Sequence, residues 1–241
     1  MSPRRADPEI SNALVDAAAK LLAEEGPAAL STRRLAAAVG TSTMAVYTHF
    51  GGMDDLVRAM VREGFARLHD RMTRVKTTDD PVADAITLGR AYRDNALAYP
   101  HLYSVMFGGS ALGGFALTDD DRQHGRYTLV ALVETVTRAM DVGRYRKADP
   151  QLVAQQMWIA LHGLVTLDLG GYLVPPYDAD VCFDNQLRAL MLGAGDEIEA
   201  TERSMAKAKR RRNRTAVTNR NGTPPPDTAP AKPTSTRSHA G

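Results

Sequence analysis

Residues 32–56 read TRRLAAAVGTSTMAVYTHFGGMDDL, and this stretch decides the fold of the first quarter of the chain. It describes two short helices joined by a tight turn at Gly40. Ser31 or Thr32 can cap the first helix and Ser42 the second, because a hydroxyl there accepts from an otherwise unpaired N–H. Leu35, Ala36 and Val39 form the packing face of the first helix. Ala45, Val46 and Phe50 form that of the second, and the small alanines at 36–38 let the helices approach closely. The second helix turns Ser42, Thr43, Met44, Tyr47, Thr48 and His49 outward. That is the arrangement needed to lay a helix in a major groove. Hydroxyls and an aromatic ring can reach phosphates and base edges there.

Outward from this unit, almost every periodic segment is helical. Ile10, Leu14, Ala17, Ala18 and Leu21 follow one helical face, which Gly26-Pro27 ends. A long helix is expected over 53–75 and another over 82–99, with Pro81 in its first turn and Pro100 at its end. Residues 101–107 read as a turn and the glycine-rich 108–114 as a loop. Helices follow over 120–141, 150–171 and 178–207. No segment alternates like a strand. The fold class is therefore all-α: an N-terminal three-helix helix-turn-helix domain (1–52), a C-terminal helical domain (53–207) and a disordered basic tail (208–241).

Of the 241 residues, 44% are hydrophobic, so the chain folds. One cysteine, Cys182, rules out a disulfide framework within the chain and suits a reducing cytoplasm. No signal peptide and no apolar run long enough for a bilayer is evident, so a cytoplasmic protein without a membrane role is expected. The net charge of +2 is unevenly spread. Residues 1–76 carry +2, residues 77–206 carry −8 and residues 207–241 carry +8. A polyanion is repelled by the middle and attracted to the ends.

The motif resembles the helix-turn-helix of the TetR family of bacterial regulators. The resemblance lies in LAxxVG at 35–40, SxxxVYxHF at 42–50, a glycine joint and DDL at 54–56. The preceding AEEGPAAL at 23–30 fits the same template. Trp158, His162 and Gly163 in WIALHG resemble the Trp-His-Gly signature of one subset's C-terminal domain. The resemblance implies a homodimer on double-stranded DNA, reading a palindromic operator and released by a small-molecule effector. Carried over residue by residue, it places Thr32, Arg33, Thr43, Met44, Tyr47, Thr48 and His49 at the DNA, with Arg34 and Ser42 beside them. This chain departs from the family in having Met53 where a lysine is common. Its reading helix also holds no Lys or Arg, so Arg4, Arg5, Arg33 and Arg34 are left to supply the electrostatic grip. Arg4 and Arg5 read either as a minor-groove arm or as a frayed terminus. The basic tail reads either as a nonspecific DNA arm or as a solvated end.

Tyr92, Tyr103, Met106, Phe107, Tyr127 and Met157 can line an apolar pocket, or be ordinary core. Trp158 and His162, four apart, read as a pocket wall or as a structural pair. No charge pair marks a polar head group, so a largely apolar effector is expected. Leu161, Leu164, Leu167, Leu187, Leu190, Met191 and Ile198 are expected to form a dimer seam from the last two helices, a four-helix interface. No metal spacing, nucleophile motif, P-loop or dinucleotide fingerprint is present, so neither catalysis nor a cofactor is expected. The alternative is an architectural DNA binder without an effector, which predicts a filled C-terminal core.

Overall fold

The computed structural model describes residues 7–107, 115 and 117–220, with side chains described as far as 212. Arg4, Arg5, the 108–114 segment and residues 221–241 lie outside the described residues. Among the described residues the chain is all-helical. Its elements are α1 (Pro8–Glu25), α2 (Thr32–Val39), α3 (Thr43–Phe50), α4 (Met53–Thr73) and α5 (Pro81–Ala98). They continue as α6 (Pro100–Met106), α7 (Asp119–Asp141), α8 (Pro150–Leu169), α9 (Ala179–Ala194) and α10 (Ile198–Arg220).

The starts of these helices are written locally. Asp7, Ser31, Ser42, Asp80, Asp149 and Asp178 each accept a backbone N–H at a helix start. Prolines occupy the first turns of α1, α5, α6 and α8, where no donor is lost. Thr118 and Asp121 close a reciprocal capping box at the start of α7. The Asp119-Asp120-Asp121 run thus opens a helix. Asp121 also reaches Arg58 of α4 at 3.8 Å. Burial raises the Asp121 carboxyl, but the Thr118 N–H and hydroxyl, with Arg58 and Arg62, hold it below the usual carboxylate range.

Two cores result. The N-terminal one joins Leu14, Ala18 and Leu22 of α1 to Leu35, Val46, Leu56 and Met60. The C-terminal one gathers Phe65, Leu68, Ile86, Tyr92, Val136, Leu161, Leu187 and Met191. Helix α6 serves both: Leu102 and Val105 belong to the first core, Tyr103 and Met106 to the second. A three-residue spacing on each face lets one short helix bridge them. Residues 101–106 are therefore helix, where the sequence suggests a turn.

Two further differences lie at the C-terminal end. The expected single helix over 178–207 is broken at Gly195, which adopts φ +107° and caps α9. Helix α10 then docks through Thr201, Ser204 and Ala208, all buried. The Ser204 hydroxyl donates to Asp80 at 3.0 Å, and Arg144 makes two bonds to Asp196 at 2.6 and 2.7 Å. The sequence places disorder from 208, yet α10 runs to Arg220, because Lys, Arg and Ala are strong helix formers. Helix α8 is also long and apolar enough, by composition, to cross a membrane, contrary to the sequence reading. Here its Ala154, Met157, Leu161 and Val165 join the core, and its Asp168 accepts from Arg93 at 2.8 Å.

Candidate functional site: a nucleic-acid interface and a cavity

Gly40 sets the geometry of the first site. Its left-handed conformation (φ 72°, ψ 33°) ends α2. The Thr41 N–H then closes on the Ala36 carbonyl at 2.9 Å. Leu35 and Val46, both buried, lock α2 against α3. The opposite face of α3 is bare: Met44 is 70% and Tyr47 51% exposed, with Thr43 and Thr48 also exposed and His49 partly so. The Thr48 hydroxyl donates to the Met44 carbonyl at 2.9 Å, which fixes its rotamer and leaves its oxygen free to accept. Ser42 is occupied as the α3 cap, accepting from the Ala45 N–H at 3.2 Å.

The flanking arginines divide. Arg33 is exposed and has no partner among the described residues. Arg34 instead makes a bidentate pair with Glu25 at 2.7 and 2.9 Å, tying α2 to the end of α1. Each partner holds the other in its charged form. Thr32 opens α2 and is half-buried.

The second site is a cavity of about 510 Å³ among α4 to α9, well within the range of small-molecule sites. Of the residues singled out by sequence, Tyr92, Met106, Phe107, Met157 and Trp158 line it. Tyr103 and His162 stand one layer behind. The Tyr103 hydroxyl meets His162 Nδ1 at 2.8 Å, and the Tyr92 hydroxyl meets that of Tyr103 at 2.9 Å. Phe107 packs edge-on to Phe65, Tyr103 and His162. Burial pushes the Tyr92 hydroxyl up to about 12 and that of Tyr103 higher still, and it lowers His162. A neutral imidazole accepting at Nδ1 suits both tyrosines.

Tyr127 does not join them. It is 62% exposed and lines a separate, shallower cleft with His69 and His124. Its place on α7 explains the difference: Leu129 and Leu132 point into the cavity and Tyr127 away from it. Sequence reasoning missed Phe65, Met72, Leu88, Leu129 and Leu132 of the lining. It also missed Arg122, Arg126, Gln151 and Gln155, polar groups on the same lining. No group of three metal-ligating side chains stands among the described residues.

The seam residues also need correction. Leu161, Leu164, Leu187 and Met191 are buried within one chain, and Leu190 lines the cavity. What remains uncovered on α8 is Leu152, Ile159, Gly163 and Leu167, and on α9 Val181, Ala189 and Gly193. The helices bearing this strip, α8 and α9, fall within the two expected over 150–171 and 178–207.

A capped helix-turn-helix with a bare second helix, joined through α6 to a helical domain, defines a helix-turn-helix DNA-binding protein. Residues 14–60 match the family model for bacterial regulatory proteins of the tetR family. Residues 85–190 match that for a tetracyclin repressor-like C-terminal domain. The chain belongs to the TetR family and is a DNA-binding transcriptional regulator. It is 29% identical over 191 residues to an HTH-type transcriptional regulator of Mycobacterium tuberculosis, covering 78% of this chain and 82% of that one. An HTH-type transcriptional regulator of Mycobacterium bovis is 26% identical over 226 residues, covering 78% and 93%. Among solved structures, a protein from Rhodococcus sp. RHA1 is similar at TM-score 0.65 and 26% identity, covering 81% of this chain and all of that one. The fatty acid degradation regulator FadR from Bacillus halodurans shares the fold at TM-score 0.66 and 18% identity, covering 80% and 100%. AibR, solved with isovaleryl coenzyme A and operator DNA, does so at TM-score 0.58 and 17% identity, covering 76% and 98%.

Proposed function

We propose that the protein is a cytoplasmic repressor without catalytic activity. It binds a palindromic operator as a homodimer and leaves it when a small, mainly apolar effector fills the cavity. Thr43, Met44, Tyr47, Thr48 and His49 meet the DNA, with Arg33 and Thr32 on the flanking phosphates. The absence of Lys and Arg from α3 means base reading by hydroxyls and van der Waals contact. The uncovered strips of α8 and α9 meet their own copies in a four-helix seam, holding two α3 helices about one DNA turn, roughly 34 Å, apart.

One observation carries the effector part of this reading. Met106 and Phe107 line the cavity, while Leu102 and Val105 of the same short helix sit in the DNA-binding core. A ligand pressing on one side of α6 must strain or shift packing on the other, because cores respond to small displacements. The open cavity also argues against a purely architectural binder, which needs a filled core. FadR, named as a fatty acid degradation regulator, and AibR, solved with an acyl coenzyme A, agree with an effector in this class of fold.

Selection of bound sequences from random double-stranded DNA tests the reading. A palindrome is the expected product, and Tyr47→Ala is expected to weaken binding to it about tenfold, or ~1.4 kcal/mol. Because Tyr47 packs in neither core, its loss leaves the thermal midpoint in place. Enrichment of no symmetric site, or full affinity in Tyr47→Ala, overturns the assignment of α3.

A further inference from the structure

We infer that the effector carries an anionic head, which docks on Arg126 and Arg122 of α7 while its apolar body fills the cavity. This rests on the cavity being the effector site, as proposed above.

Most of the lining is hydrocarbon and aromatic, its polar groups include Thr128, Gln151, Gln155 and two arginines, and no carboxylate among the described residues faces it. Its cations both come from α7, four residues apart and so on one helical face. Gly125 lies between them, and the Phe65 ring stands 3.0 Å from where a Gly125 Cβ would be. The Phe65 ring therefore packs directly on the α7 backbone next to the two arginines. Arg122 has one partner, Asp119, at 3.0 Å, and both side chains are more than half exposed. Such a pair contributes little and exchanges readily. Arg126 has no hydrogen bond or ion pair among the described residues. That is unusual in its setting, since residues 77–206 hold 18 Asp and Glu against 10 Lys and Arg.

An unpaired arginine at the edge of an apolar cavity favours one class of ligand. A carboxylate or phosphate entering such a site loses water and needs a charge-assisted, two-pronged partner. A cationic head would face two arginines, with Asp119 already paired to Arg122. A wholly neutral apolar molecule would desolvate Arg126 without a compensating bond. The shared chemistry is thus an apolar chain with a carboxylate or phosphate at one end.

The test uses the full chain with three probes of equal chain length: decanoate, decyl phosphate and decanol. Binding is read by calorimetry and by the shift in thermal midpoint, since a ligand selective for the folded state raises it. At least one anion is expected to bind tenfold or more tighter than decanol, and the two anions distinguish carboxylate from phosphate. Arg126→Gln is expected to abolish that advantage and leave decanol binding unchanged. Gln is a good helix former at this exposed position, and an unchanged melting curve without ligand confirms the fold. Arg122→Gln is expected to act in the same direction and less strongly. Decanol binding as tightly as both anions, or full anion affinity in Arg126→Gln, overturns the head-group assignment while leaving the cavity as the effector site. If none of the three binds or releases DNA, the cavity reading itself fails and this inference with it.

Discussion

A methyl group placed on Gly64 of α4 would stand 2.8 Å from the sulfur of Met106 and press on its Cγ as well. Met106 is 1% exposed and lines the neighbouring cavity, which offers it room to move. Gly64→Ala therefore sets two terms against each other. Alanine in a helix interior gains ~1 kcal/mol over glycine. Overpacking a closed core costs about 1–3 kcal/mol. The net expectation is a loss of about 0–2 kcal/mol. Removing the obstacle first changes the sign: in a Met106→Ala background, Gly64→Ala is expected to stabilise by ~1 kcal/mol. The coupling between the two positions is then about 1–3 kcal/mol, well above the roughly 0.5 kcal/mol scatter of independent sites. Guanidinium unfolding of the parent, both single variants and the double variant measures it, at one protein concentration because an oligomer's stability depends on concentration. Additive effects would refute the argument, showing that Met106 yields without cost. The displaced Met106 side chain also occupies cavity space, so Gly64→Ala is expected to weaken effector binding in the parent background.

Two further predictions concern the same domain. Ile159 is 57% exposed on the uncovered face of α8, so Ile159→Asp is expected to leave the monomer fold intact and abolish dimerisation, read by analytical ultracentrifugation. A dimer persisting at the parent's concentration would move the seam elsewhere. His162 is lowered by burial from its ordinary value of 6.5. Above that pH both folded and unfolded states hold it neutral. As pH falls below 6.5 the unfolded chain takes up the proton first, so stability declines until the lower folded value is reached. His162→Gln is expected to flatten that part of the stability profile, and an unchanged slope would place its origin in other groups.

The sequence by itself determined the helix-turn-helix, because its signals are local. Ser42 caps α3, Gly40 supplies the left-handed turn, and the spacing of Leu35 and Val46 fixes which faces pack. The bare face of α3 follows by subtraction, so Met44 and Tyr47 were legible as exposed before any contact was known. Polarity in the cavity was not legible. Arg122 and Arg126 look like any solvated helix face until α4, α6 and α8 close around α7. Arg34 looked as free as Arg33, because its pairing depends on where α1 ends in space and brings Glu25 alongside. Tyr127 and Leu129 sit two residues apart and face different environments, a distinction of helical phase that only neighbouring helices define. The α8 and α9 leucines read as one apolar surface, and only the packed domain separates those it buries from those it leaves uncovered. Caps, turns and periodicity act over a few residues and are written in the chain, whereas burial and charge pairing depend on partners brought together only by folding.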